Sequence, residues 1–207
     1  MKRITIVGSS GAGKTTLAQD LSSVLDINAI YLDRLFWQRG WRKKNRETRI
    51  DILEQLVQEK QWIIDGTYIN SHILHLIEAD TIIFLDINPF ICLLRIIKRY
   101  YKYRGYLRRR DIREGCTDTL TIFRILNVLF FSLQGRIKLE INLHRYSDDK
   151  VIWFHSPKEV KAFLDQPELY IQEHRQSVKK RYVLAALVQP LIVVIPLLLT
   201  TILLLGR

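Results

Sequence analysis

The sequence predicts an α/β fold in which a mainly parallel sheet lies between two layers of helices. Three observations predict it. Short β-rich apolar runs recur along the chain, helical patterns separate them, and a glycine-rich segment joins the first run to the first helix. The runs are Lys2 to Val7, Ala29 to Leu32, Trp62 to Ile64, Thr81 to Leu85 and Val151 to Phe154. Four of them run into a polar or acidic residue, Asp33, Asp65, Asp86 and His155. That is the pattern expected where strand carboxyl ends form a ligand crevice.

The helices follow in order. Leu17, Leu21 and Leu25 recur at helical spacing after the glycine-rich segment. Asn45 to Lys60 reads as a capped amphipathic helix with Ile50, Leu53, Leu56 and Val57 on one face. Pro89 opens a helix through Leu93, Leu94 and Ile97. Thr119 to Leu143 is helical and rich in apolar residues, and Ser156-Pro157 starts a last helix through Val160, Phe163 and Leu164.

A length of 207 residues suits one compact domain of about 150 to 200 residues, and 48% apolar against 26% charged residues excludes a wholly disordered chain. The net charge of +11, from 32 Lys+Arg against 21 Asp+Glu, predicts attraction to phosphates of nucleotides, nucleic acid or anionic lipid. Cys92 and Cys116 have no metal-ligand spacing and are too few for a disulfide framework, which fits a reducing cytosol. The apolar run from Ile4 to Val7 is far short of a signal-peptide core, so the body is expected on the cytoplasmic side.

The chemistry concentrates in Gly8-Ser9-Ser10-Gly11-Ala12-Gly13-Lys14-Thr15, followed by Thr16. This matches G-x-x-x-x-G-K-[ST], the Walker A pattern, in the strand-to-helix context the motif needs. Glycines at 8, 11 and 13 let backbone amides turn inward around phosphates, and the helix starting near Lys14 adds the positive end of its dipole. Lys14 is expected on the β- and γ-phosphates and the Thr15 hydroxyl on Mg²⁺. Asp86 is the candidate second metal residue, or else caps the turn before Asn88-Pro89. Asp33 is placed to accept the proton of an attacking hydroxyl or to hold the acceptor, or else forms a local turn. Asp65 and Tyr68, in Asp65-Gly66-Thr67-Tyr68, are candidate acceptor contacts, though Asp-Gly is also a common turn pair.

Residues 95 to 113 carry nine Lys/Arg against one Asp and supply +8 of the +11. Arg104, Arg108, Arg109, Arg110 and Arg113, around Gly105, suit a flap that closes over a transferred phosphoryl group, with Arg104, Arg108 and Arg109 as catalytic candidates. With Tyr100, Tyr101, Tyr103 and Tyr106 interleaved, the same segment offers a nucleic-acid grip as a less favoured alternative. A solvated face or a surface resting on anionic lipid is the third reading.

Gly8 to Thr15, Tyr31-Leu32-Asp33-Arg34-Leu35-Phe36-Trp37, Trp62-Ile63-Ile64-Asp65-Gly66-Thr67-Tyr68 and Phe84-Leu85-Asp86 together resemble the bacterial adenylate-kinase-related P-loop proteins often labelled DNA topology modulation proteins. The resemblance covers about residues 1 to 165. It implies a P-loop NTPase of the nucleoside- and shikimate-kinase type, a three-layer sandwich with a five-stranded parallel sheet in the order 2-3-1-4-5. It further implies ATP with Mg²⁺ as cofactors and a small-molecule acceptor, a nucleotide among the choices, bound on a region at about 34 to 61. An arginine-bearing lid at about 100 to 118 and a Ser156-Pro157 loop against the adenine complete what it implies. The sequence departs from the pattern at Thr67, where Asn is expected, and in its hydrophobic tail.

Residues 183 to 205 hold 18 apolar side chains in 23 positions and no charge. At about 1.5 Å per residue such a helix spans roughly 35 Å, enough for a hydrocarbon core of about 30 Å. Its 16 Leu, Ile and Val residues contribute at most roughly −5 to −10 kcal/mol to insertion, with Gln189, Pro190 and Pro196 subtracting. Lys179, Lys180 and Arg181 precede the run and only Arg207 follows it, so a single-pass membrane anchor with a cytoplasmic body is expected, joined by a basic linker helix at 166 to 182. A buried core helix is the alternative.

Overall fold

The computed structural model describes residues 1–68, 73–103, 111–116, 120–131, 135–143, 146 and 148–180. Its elements are β1 (Arg3–Gly8), α1 (Lys14–Leu25), β2 (Ala29–Tyr31), α2 (Leu32–Phe36), β3 (Trp37–Gln38), β4 (Arg42–Lys43), α3 (Arg46–Val57), β5 (Trp62–Asp65) and α4 (Leu74–Ile77), then β6 (Thr81–Leu85), α5 (Pro89–Tyr103), α6 (Ile122–Phe130), α7 (Arg136–Leu143), β7 (Val151–Phe154) and α8 (Pro157–Asp165). They lie in one compact unit, Met1–Pro167. A second unit, Glu168–Arg207, is helical over its described residues 168–180.

Five strands form a parallel sheet in the order β2-β5-β1-β6-β7. The labels differ from the expected 2-3-1-4-5 because an unforeseen antiparallel hairpin, β3 with β4, takes two numbers; counted within the sheet the order is the same. β5 and β6 are buried throughout and β1 is buried from Ile4 to Gly8, as parallel strands covered on both faces must be.

Side chains alternate between the two faces of a strand, so the register divides the sheet residues into two sets. Val7, Ile64, Ile82 and Phe84 belong to one hydrophobic cluster with Leu53 and Val57 of α3, Leu76 of α4, and Leu139 and Leu143 of α7. The alternate set includes Ile4, Ile6, Ile63, Asp65 and Phe154. On that side α1 packs against β1, β2 and β5, and Phe163 of α8 meets Phe154 with ring centroids 5.2 Å apart. Burying each of these aliphatic or aromatic side chains stabilises the fold by about 1.5–3 kcal/mol.

Local signals set several element ends. Asn45 Oδ1 accepts from the Thr48 amide and caps α3. Ser156 accepts from the Glu159 amide while donating to the Glu159 carboxylate, and this side-chain cap starts α8 at Pro157. The run expected as Ala29 to Leu32 ends at Tyr31, because Leu32 and Phe36 turn inward as the buried residues of the short helix α2. Asp33 therefore sits in the first turn of a helix. Among the described residues no helix is long and apolar enough to cross a membrane. The expected span at 183 to 205 and the arginines Arg104, Arg108, Arg109 and Arg110 lie outside the described residues.

Candidate functional site

The glycine-rich loop runs from the end of β1 into α1, beside the carboxyl ends of β5 and β6. Two of its glycines have no substitute. Gly8 has φ +147°, and a Cβ there would lie 2.7 Å from the Leu85 carbonyl oxygen. Gly11 has φ +83°, and a Cβ there would lie 2.4 Å from the Cys92 carbonyl oxygen on α5. No side chain caps the first turn of α1 and no acidic residue occupies it, so its amides and dipole stay available to an anion. Thr67, where an Asn was expected, secures the loop's entry: its hydroxyl accepts from the Gly8 amide and donates to the Gly8 carbonyl, each at 2.9 Å.

The loop opens on a cleft of about 1170 Å³ that extends past Asp65 and Tyr68 to Asp33. Pockets for one drug-sized ligand hold about 300–1,000 Å³, and this cleft is somewhat larger. Lys14 Nζ donates to the carbonyls of Gly8 at 3.1 Å and Ser9 at 2.9 Å. Its ammonium thus rests on its own loop, within reach of any anion the loop holds.

Thr15 Oγ1 donates to Asp65 Oδ2 at 2.6 Å, and Asp111 Oδ2 stands 3.4 Å from the same hydroxyl. Burial pushes the Asp65 carboxyl above the usual carboxylate range, while Lys14 and the Thr15 hydrogen bond oppose that rise. A hydroxyl and carboxylate oxygens at the mouth of a phosphate loop are the hard donors that Mg²⁺ prefers. Asp86 stands elsewhere. It accepts from Arg136 Nε at 2.9 and 3.0 Å, lies 3.2 Å from His155 Nδ1, and is not among the residues lining the cleft, although Leu85 and Ile87 are. The alternation explains it: residue 86 continues the Ile82 and Phe84 face, which α7 covers, whereas Asp65 lies on the face of α1.

On the acceptor side, Tyr68 Oη donates to Asp33 Oδ1 at 2.5 Å and accepts from Trp37 Nε1 at 3.0 Å. Burial and the adjacent Asp33 carboxylate push the Tyr68 phenol well above its usual range. Lys43 lies 5.8 Å from the Trp37 ring centroid and 5.3 Å from that of Tyr68, and burial pulls its ammonium below the usual lysine range.

Sequence reasoning brought Gly8 to Thr16, Asp33, Asp65 and Tyr68 to one place, and the cleft lines all of them. Pro157 also lines the cleft, while the Ser156 hydroxyl is engaged in capping α8. Sequence reasoning missed four residues. Arg95 Nη1 donates to the Ala12 carbonyl at 2.8 Å, tying α5 to the loop; it opens the basic run, whose later arginines carry the flap expectation. In the sequence Thr67 stands only as a departure from the family pattern, Asp111 as the one acid among basic residues, and Trp37 as the end of the Tyr31 to Trp37 segment with no role of its own.

No family model matches the chain. A "Putative adenylate kinase" from Thermococcus onnurineus is 31% identical over 114 residues, which are 52% of this chain and 58% of that protein. The chain thus spans little more than half of that relative's length. A protein of the same name from Methanocaldococcus jannaschii is 32% identical over 127 residues, 55% of this chain and 69% of its own length. Among solved structures, shikimate kinase from Bacteroides thetaiotaomicron superposes with a TM-score of 0.51 at 18% identity, covering 83% of this chain and 98% of that one, which shows a shared fold. By loop, sheet and sequence the chain belongs to the family of these adenylate-kinase-like P-loop proteins.

Proposed function

We propose that the protein transfers the γ-phosphoryl group of ATP to a small-molecule acceptor, a nucleotide being the first choice. The observation that carries this reading is the contact between Thr15 and Asp65 at the mouth of the loop, in a cleft that continues to the Tyr68 and Asp33 pair. ATP would lie with its phosphates on the amides of Gly8 to Thr16, where the two glycine positions leave no room for a side chain. Thr15 and Asp65 are the residues that would hold Mg²⁺, which would supply charge neutralisation of the phosphates.

This chain's own groups do the rest. Lys14 exchanges its loop carbonyls for the β- and γ-phosphate oxygens. Asp33, oriented by Tyr68, aligns the acceptor oxygen and takes its proton when that oxygen is a hydroxyl. The acceptor oxygen forms its bond to the γ-phosphorus as the bond to the β,γ-bridging oxygen breaks, and ADP leaves. The arginines at 104, 108 and 109 are proposed to close over the transferred group, on the strength of the basic run that contains them.

The uncharged stretch 183 to 205, with three basic residues before it, supports a further part of the reading: a single-pass anchor that keeps the kinase body on the cytoplasmic face. The test is transfer of label from γ-labelled ATP to members of a panel of nucleotides, nucleosides and sugars. Labelled product that disappears in Lys14→Ala supports the reading. ATP binding without labelled product from any acceptor class, with ATP-dependent retention of nucleic acid instead, would replace it with a nucleotide-gated binding protein.

A further inference from the structure

The hairpin of β3 and β4 turns through Arg39, Gly40 and Trp41, and two of these have positive φ, Gly40 at +73° and Trp41 at +57°. Glycine adopts that left-handed region freely, whereas a bulky aromatic residue is strained there. Such strain persists where the surroundings over-determine it, and it gathers at functional sites. Here the surroundings are the segment 111–116. The Gly40 amide donates to the Gly115 carbonyl at 3.1 Å, and the Cys116 thiol donates to the Gln38 carbonyl at 3.2 Å. Gly115 permits the approach: its φ is +79°, and a Cβ there would lie 2.3 Å from Arg39 Cγ. The same segment carries Asp111 beside Thr15, so one strap meets both the hairpin and the phosphate loop.

Between Trp37 and Lys43, Trp41 is the residue that lines the cleft, as Asp33 and Tyr68 do. Contacts join the three. The Trp41 ring meets that of Trp37 edge-on with centroids 5.5 Å apart, Trp37 Nε1 donates to Tyr68 Oη, and Tyr68 Oη donates to Asp33. Trp37 is already held by Tyr68 and by Lys43 over its ring, so packing alone does not call for a tryptophan at the strained position. We propose that Trp41 is a specificity-determining residue of the acceptor side, and that its indole takes the planar base of a nucleoside or nucleotide. The inference rests on the proposed phosphoryl transfer and adds what the acceptor must carry, a flat ring beside the atom that Asp33 aligns. An indole has no charge and offers a π-face, which binds flat rings by stacking whatever their hydrogen-bonding edges. A sugar is held through its hydroxyls, and the hairpin contributes no charged or amide side chain to the cleft.

The test is equilibrium dialysis of labelled probes against the full chain saturated with a nonhydrolysable ATP analogue and Mg²⁺. The probes are the ribonucleosides and their 5′-monophosphates, with ribose 5-phosphate as the probe that lacks a base. A base-bearing probe is expected to bind the parent more tightly than ribose 5-phosphate does. Its affinity is expected to fall about 5- to 140-fold in Trp41→Ala, the span of base–aromatic stacking. Trp41→Phe is expected to recover most of that loss, with affinity for the ATP analogue within about twofold of the parent in both variants. Comparing nucleosides with monophosphates tells whether the ring arrives with a phosphate of its own. The proposal is overturned if no base-bearing probe binds, if ribose 5-phosphate binds as tightly, or if Trp41→Ala leaves the affinity unchanged. A joint fall in analogue and probe affinity, with a lower thermal midpoint, assigns Trp41 to holding the hairpin and overturns it too. Transfer of label from ATP is measured separately. Base binding that depends on Trp41, without transfer to any acceptor, removes the kinase reading and leaves Trp41 as a base contact. Transfer to an acceptor without a base, unaffected by Trp41→Ala, does the reverse.

Discussion

The hydroxyl of Thr15 donates to the carboxylate of Asp65 across 2.6 Å, joining the last residue of the phosphate loop to the end of a strand 50 residues away. The bond fixes which acidic residue of this chain stands beside the phosphate loop. Asp65→Asn is therefore expected to weaken Mn²⁺ binding in the presence of ATP, read by the electron-spin-resonance signal of the free ion, by more than tenfold. Asp86→Asn is expected to leave that affinity within about twofold, since Asp86 is engaged by Arg136 and His155. Equal losses in the two variants would contradict the assignment.

The same residue predicts a pH dependence of stability. Burial raises the folded-state pKa of Asp65 above its unfolded value of about 3.9. Between those two values the folded protein holds more protons than the unfolded chain, so stability is full below the unfolded pKa and falls as pH rises through the folded one. Urea denaturation across that range is expected to show the decline in the parent protein and a flatter profile in Asp65→Asn, which should be at least as stable near neutrality. An unchanged slope in the variant would assign the decline to other groups.

Lys14→Ala is expected to lower phosphoryl transfer by at least about 10²–10³-fold, the scale for losing one positioned donor to transition-state charge. Folding should survive, because the hydrogen bonds of the ammonium, to the Gly8 and Ser9 carbonyls, lie within its own loop and tie no other element to it. Steady-state kinetics beside a thermal melt separate the two effects.

Gly11→Ala is expected to destabilise the fold by roughly 2–5 kcal/mol. The left-handed backbone costs about 1–2 kcal/mol for a residue with a Cβ, and crowding the Cys92 carbonyl costs about 1–3 kcal/mol more. ATP binding should fall with it, because relieving the clash separates α5 from the loop. Equilibrium denaturation and a fluorescent-nucleotide titration check both parts.

Tyr68→Phe removes the hydrogen bonds that reach Asp33 and Trp37. The expected outcome is a rise in KM for the acceptor with ATP affinity unchanged, and a stability loss of about 1 kcal/mol. A change in ATP affinity with the acceptor KM untouched would move the acceptor site away from Tyr68.

Much of this protein is legible in its sequence because the informative signals are local. The loop from Gly8 to Thr15 announces itself by glycine spacing, and Ser156-Pro157 and Asn45 mark helix starts through hydrogen bonds that span three residues. Continuous apolar runs identify β1, β5 and β6, since strands covered on both faces need no polar alternation. The hairpin of β3 and β4 escaped because its two-residue strands carry no period to detect.

By itself, then, the sequence determined the sheet strands, the phosphate loop and the set of acidic residues at the strand ends. Only the tertiary structure decided which of those acids meets the loop. Side chains alternate along a strand, so register assigns Asp65 to the face of α1 and Asp86 to the face of α7, and no local pattern encodes that choice. Arg95, Thr67 and Asp111 reach the loop for the same reason. Each is distant from it along the chain and is brought there by packing between elements whose own sequences look complete without it.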